Sequence, residues 1–141
     1  MKRGIVRGNI IYGELPGNLL GRYEHETDTI HVDCRLPKRD RFLTLIHEGF
    51  HRQLGHGPAP KAVCVAREIL VEQMTARYFI SFRSLLEAFI QCGSVTSMAK
   101  FLHVDDGLVY SRMLTLTPLE AVVLEVCGRQ CIGIDTAKPV L

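Results

Sequence analysis

Apolar and polar residues change their spacing several times along the chain, and each change marks an element. Gly8-Asn9-Ile10-Ile11-Tyr12-Gly13 reads as a short strand between turns, and Leu15-Pro16-Gly17-Asn18 as a turn. After a turn at Glu26-Thr27-Asp28, Ile30 and Val32 alternate with His31 and Asp33. That period of two predicts a strand over 28–34, with Ile30 and Val32 toward the core and His31 and Asp33 outward. From Arg41 the period lengthens. Phe42, Ile46 and Phe50 form one stripe, and Leu43 and Leu54 add a second. A buried helix is expected over 41–54, capped by Asp40 and stopped by Gly55 and Gly57, with Pro58 and Pro60 in the loop that follows. A second helix is expected over 60–82. Its face carries Val65, Ile69, Glu72, Ala76 and Phe79, so one carboxylate falls inside an apolar stripe.

Helical spacing resumes at Ser84 and breaks at Cys92-Gly93-Ser94. A short capped helix over 94–102 and another over 107–114, with Asp105 as its N-cap, complete this region. Ala121–Val126 and Gln130–Ile134 read as two strands of a hairpin around Gly128-Arg129. The sum is one α+β domain spanning 1–141. It comprises a strand-rich part (1–36), two central helices (41–56 and 60–82), a helical part (84–115) and a C-terminal hairpin (118–135).

Composition narrows the partners. A net charge of +2 in 141 residues gives no electrostatic footprint for nucleic acid or a membrane surface. The apolar runs are too short to span a bilayer, and no signal-peptide run follows Met1-Lys2-Arg3. Cys34, Cys64, Cys92, Cys127 and Cys131 are five in number and form no Cys-x-x-Cys pair. They are expected to be reduced, in a cytoplasmic protein. Residues 95–113 fit a loose helix-turn-helix pattern. The second helix begins Asp105-Asp106-Gly107 and offers only Arg112 to bases, which argues against direct nucleic-acid binding.

The chemistry is concentrated in the first long helix, which carries His47-Glu48-Gly49-Phe50-His51. On a helix, His-Glu-x-x-His sends both imidazoles from one face, the arrangement in which zinc peptidases hold their ion. Chance supplies the pattern in about one or two chains in a hundred of this composition. Two histidines in a buried helix also need partners. Glu48 is placed to act as the general base on a zinc-activated water. A third ligand is required. Glu72 is the preferred candidate, with Glu68 and His56 as alternatives; His56 lies nine residues after His47, one short of the spacing of the three-histidine pattern. Tyr78, His103 and Tyr110 are candidate donors to an oxyanion. A peptide substrate is expected to lie beside the 28–34 strand by strand addition.

With those residues placed, the run from Ile30 through Met113 resembles the ImmA/IrrE-type metallopeptidases, a zincin-like group of bacterial and phage proteins. Ile30-His31-Val32-Asp33 is similar to that family's strand before the catalytic helix. Phe42-Leu43-Thr44-Leu45-Ile46-His47-Glu48-Gly49-Phe50-His51 is similar to its motif segment, with Leu54-Gly55-His56 as a common ending. Glu72 falls where the family has a glutamate ligand. Ser97 through Val104, Val109 and Arg112-Met113 are similar to a later helical segment. The resemblance implies a zincin-like hydrolase that uses Zn2+ and acts on a narrow protein substrate. The expected substrate is a helix-turn-helix transcriptional repressor of a phage or mobile element. The alternative is a non-catalytic anti-repressor on the same fold, which binds its partner and leaves it intact.

Overall fold

The computed structural model describes Ile5 and residues 7–131, with side chains through Gly128. Three strands and six helices follow in the order β1 (Asn9–Gly13), β2 (Gly21–Glu24), β3 (Thr29–Asp33), α1 (Lys38–Gln53), α2 (Lys61–Phe79), α3 (Phe82–Gln91), α4 (Val95–Leu102), α5 (Asp106–Leu114) and α6 (Pro118–Cys131). The architecture is α+β. The chain divides into two compact units, one ending at Thr75 and the other beginning at Ala76.

The first unit is a three-stranded sheet with α1 packed against β2 and β3. The strand order is β1-β3-β2, with β1 parallel and β2 antiparallel to β3. Ile30 and Val32 are fully buried, and with Leu45 of α1 they make the core that Ile10, Tyr23 and Leu36 flank. The four-residue β2 was not anticipated, and it changes where a peptide can add. β3 is central, with a strand on each side, so the edge on the α1 side of the sheet belongs to β2 rather than to the 28–34 strand. Asp33 also departs from the alternation. It is buried, because its carboxylate accepts the backbone N–H groups of Leu15 (3.2 Å) and Arg35 (2.9 Å) and pairs with the Arg35 side chain.

α1 starts at Lys38 after Pro37, so Asp40 lies in the first turn instead of capping. α2 ends at Phe79. The chain then turns through Ile80 and Ser81, whose hydroxyl accepts the Ser84 N–H and caps α3. The expected buried stripe of α2 holds at Ala76 but not before it: Val65 and Ile69 are 51% and 57% exposed.

In the second unit α3 packs on α4 and α6, and α4 on α5. Ser94 and Asp105 cap α4 and α5 as expected. Arg112 is buried. Its guanidinium donates to the Ile80 carbonyl (2.7 Å) and the Thr115 hydroxyl (3.0 Å) and faces Glu120 at 3.7 Å. The one basic residue of α5 is therefore engaged inside the fold.

Where a hairpin is expected over 118–135, Pro118–Cys131 form the helix α6. Thr117 Oγ1 accepts the Glu120 N–H (3.2 Å), and Glu120 accepts the Thr117 N–H (3.0 Å), a reciprocal capping box with Pro118 at the first helical position. Gly128, read as the hairpin turn, is a packing position: a Cβ there would run into the Phe89 ring of α3. The part of the second expected strand at Ile132–Ile134 lies outside the described residues. No single described helix is long and apolar enough to cross a membrane. Cys34, Cys64, Cys92 and Cys127 are free thiols.

Candidate metal centre

His47 and His51 project from the same side of α1, with ring centroids 5.1 Å apart and planes inclined by 60°. Glu68, from the first half of α2, reaches both. Its Oε2 is 3.2 Å from His47 Nε2, and its Oε1 is 3.1 Å from His51 Nε2. Ligand atoms around a tetrahedral ion with bonds of about 2.0–2.1 Å stand about 3.3 Å apart. The three ligand atoms lie within 4.8 Å of one another, and the His47–His51–Glu68 group can hold a metal ion. Two imidazoles and a carboxylate are also the donor types that borderline divalent cations prefer.

The other two carriers of the third-ligand expectation sit differently. Glu72 approaches only His47, through the other ring nitrogen: its Oε2 is 3.4 Å from Nδ1. The premise that singled it out, a carboxylate within a buried stripe, does not hold where Val65 and Ile69 face solvent. His56 stands against His51, Nδ1 to Nδ1 at 2.9 Å, on the ring nitrogen that does not face Glu68. Glu68 and Glu72 are one helical turn apart, so their spacing in the sequence could not decide between them. The way α2 lies against α1 brings Glu68 to both histidines.

Glu48 is buried beside the pair. With His51, His56 and Glu68 it lines a cleft of about 260 Å³, which Gly21, Arg22 and Tyr23 of β2 and Arg67 of α2 also border. β2 passes so close that a Cβ at Gly21 would strike the Thr44 methyl and come within 3.1 Å of Glu48 Cγ. The Tyr23 backbone N–H donates to the Glu48 carboxylate. Sequence reading missed both β2 and Arg67. The only signal for β2 was the short alternation after Gly21.

Burial pushes the Glu48 carboxyl up to about 7, against the lowering effect of the His47 charge. A carboxyl in that range exchanges a proton at neutral pH, as a general base must. Burial also depresses His47. That effect is outweighed by the contact with Glu72 and the charges of Glu48 and Glu68, which leave the imidazole above its ordinary value. Burial lowers His51, and the neighbouring His47 and His56 lower it further.

The expected oxyanion donors are Tyr78, His103 and Tyr110. Tyr78 stacks edge-on to Phe79, His103 ends α4 in the left-handed conformation, and Tyr110 is exposed on α5. All three belong to the second unit. Arg22 and Arg67 bring guanidinium donors to the cleft, and Arg67 already donates to the Gly57 carbonyl at 2.7 Å. Comparison with protein-family models, curated proteins and solved structures returned no match.

Proposed function

We propose that the protein is a cytoplasmic, zincin-like zinc peptidase with a narrow protein substrate. The observation that carries this reading is the convergence of His47 Nε2 and His51 Nε2 on one carboxylate, Glu68, beside a buried Glu48. Zn2+ bound there would polarise a peptide carbonyl and lower the pKa of water to about 7. Glu48 takes the proton of the attacking water on its carboxylate and returns it to the departing amine. A substrate strand lies along β2, whose outer edge borders the cleft and extends the sheet. The resemblance of residues 30–113 to the ImmA/IrrE-type peptidases suggests a helix-turn-helix repressor of a phage or mobile element as that substrate.

A second reading draws on Glu72, which stands where the resembled family has its glutamate ligand but approaches only the Nδ1 of His47. It is an anti-repressor on the same fold that sequesters its partner uncut. Glu48→Gln separates the two. For a peptidase, zinc still binds at one equivalent while cleavage of a co-expressed repressor, followed by mass spectrometry, falls by at least about a hundredfold. Equal cleavage by the variant removes Glu48 from its role. An intact repressor whose activity is blocked equally by both proteins establishes the binder.

A further inference from the structure

α1 ends in a way that returns a third imidazole to the metal pair. Gly55 adopts a φ of +64°, which favours glycine. Its N–H donates to the Arg52 carbonyl and the N–H of His56 to the His51 carbonyl, both at 3.0 Å. This is the Schellman pattern, and it folds the residue after the glycine back over the last helical turn. That residue is His56, with its ring centroid 5.1 Å from that of His51 and the planes inclined by 63°.

The 2.9 Å approach of the two Nδ1 atoms requires a proton between them. If His56 supplies it, a neutral His51 carries its own proton on Nε2 and has no lone pair there for a cation. If His51 supplies it, Nε2 is a free lone pair facing Glu68. We propose that His56 is a positioning residue that accepts the His51 Nδ1–H and so holds Nε2 open for the ion. The inference rests on the metal-centre reading. It moves His56 from an alternative ligand to an outer partner, the position from which second neighbours fix ring orientation and tautomer. Because the Schellman turn fixes the backbone of His56, little further ordering is needed to place the acceptor.

The test uses the full chain with zinc and, as a spectroscopic probe, cobalt(II). His56→Asn puts an amide oxygen near the place of Nδ1; His56→Phe keeps a ring without an acceptor. His56→Phe is expected to bind zinc about 10–100-fold more weakly than the parent chain, and His56→Asn to recover most of that loss. In the zinc-loaded parent chain, long-range 1H–15N spectra should show His51 Nδ1 bearing the proton and Nε2 on the metal, a readout that needs no variant. Undiminished affinity in a folded His56→Phe overturns the proposal, as does coordination of His51 through Nδ1. Equal weakness of both variants with an altered cobalt spectrum overturns it too, by making His56 a ligand. A parent chain that takes up no metal would instead defeat the metal-centre reading on which the proposal stands.

Discussion

Asp33 shows how one residue can defeat a pattern that holds around it. Strict alternation turns it to solvent, yet its carboxylate is buried because it ties the 13–20 turn to the end of β3. It accepts the N–H groups of Leu15 and Arg35 and the guanidinium of Arg35. The Arg35 side chain, followed by the Arg35 N–H, holds the carboxyl well below the usual range. The folded state thus binds this proton less readily than the unfolded chain. The resulting stability is fully present above the unfolded value of about 3.9 and is lost as pH falls through it toward the folded value. Asp33→Asn should therefore be less stable than the parent at pH 7, with the difference shrinking by pH 3. Urea titrations at the two pH values measure this, and an unchanged gap would deny Asp33 that part.

Among the elements, α6 is where local preference misled most. Val122, Val123 and Val126 favour strands, and Gly128-Arg129 resembles a turn. Against them stand Thr117, Pro118 and Glu120, a start signal that fixes helix over strand. The buried and half-buried positions confirm the helical period: Val123, Leu124, Cys127 and Gly128 recur at i, i+1, i+4 and i+5. Thr117→Val keeps the shape of the side chain but removes the oxygen that accepts the Glu120 N–H. It should cost about 1 kcal/mol in chemical denaturation. No loss of stability would mean that the capping box is not what starts α6.

For the whole molecule, the sheet, the paired histidines and the cleft lie in the unit that ends at Thr75. A ligand that binds only the folded state stabilises it by an amount that grows with the logarithm of its concentration above Kd. At a hundredfold excess over Kd, zinc should add about 2.7 kcal/mol, and a chelator should reverse the gain. Hydrogen exchange should locate the added protection in α1, β2 and the first half of α2. A melting temperature indifferent to zinc would count against the site, as would protection gained only in α3–α6.

The chain alone determined what depends on neighbours a few residues away. Four-residue spacing on a helix puts His47 and His51 on one face whatever surrounds it. Ser94 and Asp105 cap their helices by reaching only three residues ahead. Alternation buries Ile30 and Val32. Tertiary structure decided what depends on how elements dock. It chose Glu68 over Glu72 as the carboxylate facing both imidazoles, since the two are one turn apart and only the seating of α2 against α1 separates them. It placed β2 beside β3 and thereby made β2 the edge at the cleft. It turned Gly128 from a bend into a contact for Phe89. In each case the energy comes from a surface met across the fold, which no short window of sequence contains.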